Sequence, residues 1–388
     1  MTDYTRGMIS TRTDETNVKK DISEVIDFLS PFDVPFLDMI GRNSLHTACT
    51  QVKHEWLTDE LTPRSGTLGA AYTSGDGYFT FTGAEYKYVL PGDLIIVGDV
   101  VYRVTGGAPD GNPVLVDVVR GGSGVVDASH VNASIWRKVA HAAQEGGMAR
   151  TDAIKVHLAA PYNYTQIIKD WILITGTMEV IDRYGYANER TYQEEKVLRK
   201  LAIDLEYALL YGARYWDGGP PRVSTMGGLF EFVYLPGVEN SWDTVHDASG
   251  AEFTETMLID VMQEMWNVGG DPDFIVVNGT NKRRMTDWAT PRIRTDRSER
   301  MAGASIGTFE SDFGILDILL DRWLRPADII IGSRGEMGIG PLTNRQFTSR
   351  LLPSTLDGTW YELLGEYTME VHKPSVAWGW IYDTDSTY

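Results

Sequence analysis

The chain has a single cysteine, Cys49, among 388 residues. An internal disulfide is therefore impossible, and so is a cysteine-rich metal site. A buried thiol made in a reducing compartment is the expectation. Long apolar runs are missing too. The longest, LIIV at 94–97 and IIIG at 329–332, have strand length, well short of the ~20 residues that span a bilayer. The opening segment MTDYTRGMISTRTDETNVKK lacks the apolar stretch of a secretory signal. Positive charge is scarce: 35 Lys and Arg face 54 Asp and Glu, a net charge of −19 with a pI near 4.8. Such a chain repels phosphate backbones and anionic membranes, which argues against a dedicated nucleic-acid reader or a membrane protein. It is compatible with a wall around DNA that makes no sequence-specific contact.

Catalytic patterns are equally sparse. There is no Walker A sequence and no dinucleotide fingerprint. GGSG at 121–124 lacks the Lys-Ser/Thr and the helix that a phosphate loop needs, so it reads as a turn. Gly303-Ala-Ser305-Ile-Gly307 matches the letters of a nucleophile elbow. That motif requires an apolar strand before it and a helix after it, whereas here TDRSERM precedes and TFESDFG follows. Ser305 is thus read as a loop residue, and a serine hydrolase as the remotest alternative. The seven histidines (His46, His54, His130, His141, His157, His246 and His372) form no H-x-x-x-H pair. The expectation is no cofactor, no metal and no enzyme. One charge cluster stands out: TPRIRTDRSERM at 290–301 carries Arg292, Arg294, Arg297 and Arg300. On an acidic chain, a basic loop suits an acidic patch on another copy, so these four are candidate inter-subunit contacts.

The chain is long enough for two or more lobes, and its 43% hydrophobic and 23% charged residues suit a folded protein. Residues 21–29 have helical spacing, and two prolines in SPFDVPFLDMIG then force a turn and a second short segment. Residues 50–82 read as extended ribbon. Residues 86–140 hold several short β-type runs, with a hairpin signal at Gly98-Asp99, and predict a small barrel or sandwich. The apolar stripe Leu198, Leu201, Ala202, Leu205, Ala208, Leu209 predicts a long helix over 186–212, ended by Gly212. Further on, the pattern predicts a helix at 254–267, a buried strand at 274–278, a helix through TNKRRMTDWA, strands at 314–320 and 328–332, and a closing hairpin over 345–382.

Four segments resemble the major capsid proteins with the Hong Kong 97 phage fold, in particular their SU-ten-like branch. They are DISEVIDFLSPFDVPFLDMIG at 21–41, with Val34 where Thr is usual; the strand around His54-Glu55-Trp56; YNYTQIIKDWILITGTMEVIDRYG at 162–185; and FESDFGILDILLDRWL at 309–324 with LLGEYTMEVHKPSVAWG at 363–379. The resemblance implies an α+β fold with an N-terminal arm at 1–44. It implies an E-loop at 45–160 that reaches over a neighbour and carries an inserted β-module at 86–140. A peripheral domain follows at 161–224 with its spine helix at 186–212, then an axial domain at 225–340 and a return at 341–388. It implies a shell subunit forming hexamers and pentamers around double-stranded DNA in a virion, assembled in the host cytoplasm from copies of itself. A portal protein and a decoration protein are candidate partners. Some relatives carry a cleaved scaffolding segment; only about 20 residues precede the first predicted helix, so a separate scaffolding protein is expected. Some relatives crosslink through Lys and Asn, which directs notice to Lys53, Lys87 and Lys138. The alternative use of the same fold is an encapsulin-like nanocompartment.

Overall fold

The computed structural model describes residues 33–41, 45, 48–59, 63–83, 85–106, 114–118, 127–143, 145, 159–181, 188–234, 244–288, 293–294, 307–353 and 357–385. The chain divides into two compact units, 1–56 with 161–388, and 57–160.

In the first unit, short uninterrupted apolar runs become strands covered on both faces. A seven-stranded mixed sheet runs in the order Val245–Asp247, Trp378–Tyr382, Ile329–Gly332, Phe274–Val277, Gly314–Leu320, Gly307–Ser311, Ile293–Arg294. Phe274–Val277 pairs in parallel with Gly314–Leu320 and antiparallel with Ile329–Gly332, and both Phe274–Val277 and Ile329–Gly332 are buried throughout. Ile275, Val277, Ile329 and Ile331 pack with Leu258, Val261, Met262 and Met265 of helix Glu255–Val268. That helix is capped by Thr254, whose hydroxyl accepts from Met257 N, and ends at Gly269 with φ 95°. The other face, with Phe274, Val276, Ile330, Trp378 and Trp380, joins a second core. Gly332 is required there, because a Cβ would lie 2.6 Å from the Trp378 ring.

The second core is organised by the long helix, Glu189–Tyr211. It is 23 residues long, about 34 Å at 1.5 Å per residue. Asn188 sets its start, its side chain accepting from Arg190 N at 2.9 Å. Leu201, Leu205, Leu209 and Leu210 are buried, whereas Leu198, at the N-terminal end of the same stripe, is 43% exposed. They pack on a sheet whose central strand is Gly358–Val371. Residues 358–367 of this strand pair antiparallel with Gln166–Thr175, residues 360–364 with Thr348–Leu352, and residues 367–371 with Met337–Pro341. Below the helix, PFLDMI forms the short helix Pro35–Ile40, burying Phe36 and Ile40 in the same core. Residues 21–29 and Ser305 lie outside the described residues.

The second unit is a closed barrel. Strands follow the order Ser65–Thr67, Ile135–His141, Asp93–Val97, Val100–Gly106, Val114–Val118, Tyr78–Phe79. Gly98 takes φ 59° in the two-residue hairpin between Val97 and Val100. The barrel draws in 65–67 and 78–79, which lie outside 86–140. The two outer strands then meet: Leu68 bridges Phe81, and Gly69 N donates to Thr80 O. The interior is filled by Leu68, Phe79, Phe81, Ile95, Val97, Tyr102, Val104, Val116 and Trp136. One polar knot ties it. Asp127 accepts from Tyr72 Oη at 2.7 Å and Tyr102 Oη at 2.9 Å, and these bonds with burial push both phenol pKa values up.

Candidate assembly surfaces

Strand Gly358–Val371 presents two different faces. Its odd positions, Tyr361, Leu363, Tyr367, Met369 and Val371, point to the long helix. The alternate positions carry Glu362, Glu366 and Glu370, three carboxylates all buried to 5% exposure or less. An unpaired buried charge is prohibitive, so each has a cation. Arg350 grips Glu362, its Nε at 2.6 Å and its Nη2 at 2.5 Å both reaching the one oxygen Oε2. Arg345 holds Glu366 at 2.7 Å, and Thr165 donates to the same carboxylate at 2.5 Å. Glu370 meets His54 Nε2 at 2.5 Å and His372 Nε2 at 3.1 Å. Hydrogen bonds to Cys49 and to Glu370 outweigh desolvation and lift the His54 pKa to about 9, so at neutral pH the pair is ionic. His54 sits on strand Lys53–Glu55, which pairs with Tyr162–Tyr164. These two strands are the stems from which the chain leaves for, and returns from, residues 57–160. The His54–Glu370 pair anchors one of them.

Beside this ionic seam lies an uncovered apolar row. On strand Gln166–Thr175, Ile168, Ile172 and Ile174 face the core, while Ile167, Trp171 and Leu173 are 45–51% exposed. Trp171 stands opposite Glu362 and Leu173 opposite Trp360. Lys169 Nζ lies 5.3 Å from the Trp171 ring centroid. Large exposed aromatic and branched side chains in one row mark a contact surface. In the barrel unit, strand Ile135–His141 buries Trp136 and exposes Ile135 and Val139 on its other face.

Of the arginines singled out from the sequence, Arg294 lies in strand Ile293–Arg294 opposite Thr308, at the end of the seven-stranded sheet. Arg292, Arg297 and Arg300 lie outside the described residues. Lys138 is engaged with the buried Asp93 at 2.6 Å, and Lys53 pairs with Glu55. Lys87 lies 5.9 Å from the Tyr86 ring centroid. The glutamate row was missed from sequence, although its signal was present: Glu362, Glu366 and Glu370 are spaced by four, which on a strand is one face. Among the described residues no group of three His, Cys, Asp or Glu could hold a metal ion, and no helix is long and apolar enough to cross a membrane.

Solved structures share this fold. The Cyanophage A-1(L) capsid aligns with TM-score 0.52 at 8% identity, over 97% of this chain and 100% of that one. The capsid of a native GTA particle aligns with TM-score 0.51 at 10% identity, over 97% and 100%. A structure from Microbacterium phage Oxtober96 aligns with TM-score 0.50 at 10% identity, over 98% and 100%. At such identities the likeness speaks for the fold, which is the α+β fold of Hong Kong 97-type capsid subunits. Comparison with curated proteins finds no match. Residues 7–385 match the family model of the SU10 major capsid protein, and the chain belongs to that family. It is thus a tailed-phage major capsid protein, a structural component of the virion.

Proposed function

We propose that copies of this chain assemble into hexamers and pentamers of an icosahedral shell enclosing double-stranded DNA, and that the protein acts through subunit contacts and not through an active site. The observation that carries this reading is the family match across residues 7–385. In it, residues 45–160 are the E-loop that reaches over a neighbouring copy, with the closed barrel as its inserted module. Residues 161–224 with helix Glu189–Tyr211 form the peripheral domain, and 225–340 the axial domain. The return at 341–388 supplies Gly358–Val371 to the first and Trp378–Tyr382 to the sheet of the second. A neighbour covers the row Ile167, Trp171, Leu173, and the arginine loop at 292–300 meets an acidic surface of another copy. The anchoring of strand Lys53–Glu55 by His54 and Glu370 supports this, since a reaching segment transmits force only from a fixed root. Many weak contacts repeated by symmetry then give a stable shell. A separate scaffolding protein, a portal protein and a decoration protein complete the proposed partners, with assembly in the host cytoplasm.

The test is electron microscopy with light scattering on the expressed full chain, alone and with its scaffold. Rings, capsomers or closed particles are expected. A stable monomer under both conditions would overturn the reading.

A further inference from the structure

The short helix Pro35–Ile40 has no local cap: Val34 stands at its N-terminus and no neighbouring side chain accepts there. Its acceptor comes from 170 residues away. Glu206, fully buried in the C-terminal part of the long helix, accepts from Phe36 N at 2.9 Å and Leu37 N at 2.6 Å. A second fully buried carboxyl, Asp321, on the turn after strand Gly314–Leu320, lies within hydrogen-bonding reach of Glu206. Asp321 Oδ1 accepts from Trp323 N at 2.8 Å, while Oδ2 is enclosed and has no donor. Two enclosed carboxyls that repel each other do not both ionise, so the pair holds a proton. The surroundings give no relief. The docked segment brings Asp33 and Asp38, and the turn brings Arg322, which is half-exposed and held by Asp33 at 2.6 Å. Strand Met337–Pro341, which also packs here, carries no ionisable side chain.

We propose that Glu206 and Asp321 share one proton, and that this proton latches segment 33–40 to the long helix, so that the segment loosens as pH rises. Burial, and then repulsion from Asp321, push the Glu206 pKa up to about 8, and burial raises that of Asp321 as well. Undocking exposes Glu206 to water, where it ionises in the ordinary carboxylate range. The docked state therefore holds a proton that the undocked state releases. Docking is at full strength below the ordinary carboxylate range, weakens by up to about tenfold per pH unit above it, and levels off near pH 8. In a shell subunit, on the reading given above, this sets a proton-controlled hinge beside the long helix. The latch itself is a property of the single chain and is testable without assembly.

The experiment is hydrogen–deuterium exchange of the unassembled full-length chain between pH 5.5 and 8, corrected for the intrinsic pH dependence of exchange. Protection of the amides of residues 36–40 is expected to fall at least tenfold. Glu206→Gln and Asp321→Asn should each flatten the profile, since an amide replaces the shared proton with a permanent donor. Asp33→Asn should leave the slope in place. A flat wild-type profile, or an undiminished fall in both amide variants, would overturn the latch. Should one variant fail to fold, the wild-type profile and the other variant decide.

Discussion

The two larger sheets of the first unit meet the same demand, a central strand hidden on both sides, by opposite means. In the seven-stranded sheet, Phe274–Val277 and Ile329–Gly332 are apolar on both faces and are covered by side chains of this chain. In the other sheet, Gly358–Val371 carries its buried glutamates on the face away from the long helix, among Trp360 and Leu364. Its far face is closed by three glutamates and their cations, and beside them Ile167, Trp171 and Leu173 stay uncovered. The first sheet is complete in one copy. The second is finished with paired charged groups, next to a half-exposed apolar row that, on the proposed reading, a neighbouring copy covers.

Three sets of substitutions separate these regimes. Phe274→Ala removes a fully buried ring whose centroid lies 5.8 Å from that of Trp378. It should cost about 3–5 kcal/mol in urea unfolding of the unassembled subunit. A cost near 1 kcal/mol would mean that this sheet is not the self-sufficient one.

Glu370→Ala should cost about 3 kcal/mol, because it leaves His54 buried beside an empty place, whereas the double change His54→Leu with Glu370→Leu should come within about 1 kcal/mol of wild type. The same pair predicts a pH dependence. The folded-state pKa of His54 is raised to about 9, so its stabilisation is complete below the unfolded value of about 6.5 and disappears as pH rises through 9. Urea midpoints between pH 7 and 9.5 should therefore fall further in wild type than in the double variant, which has no His54. Parallel slopes would remove His54 as the cause.

The smallest effect on stability is expected from Trp171→Asp with Leu173→Asp, within about 0.5 kcal/mol because both side chains are already half exposed. Particle yield by sedimentation should nevertheless collapse. Unchanged yield would show that this row is ordinary surface.

Much of the architecture was legible because it is local. The inward set Leu258, Val261, Met262 and Met265 follows directly from helical spacing, and strands 274–277 and 329–332 from unbroken apolar runs between polar punctuation. What escaped is non-local. Barrel closure depends on Leu68 meeting Phe81, which no window of alternation reveals. His54 and Glu370 are 316 residues apart. Glu206 interrupts the apolar stripe of the long helix and would be read as solvent-facing, yet it is fully buried because its partners are the amide groups of another helix. Leu198 shows the converse: periodicity marks a stripe but not where the core stops.

The meeting of Leu68 and Phe81 has a consequence for the time before a shell exists. On the proposed reading, subunits that assemble into a shell first exist as a pool of free copies. An open six-stranded sheet in that pool would offer two backbone edges, and any copy could extend another by strand pairing into a dead-end polymer. Joining the edges removes that route. Contacts made by this module must then go through side chains, which discriminate between partners and orientations, and crowding alone cannot turn the module into a template.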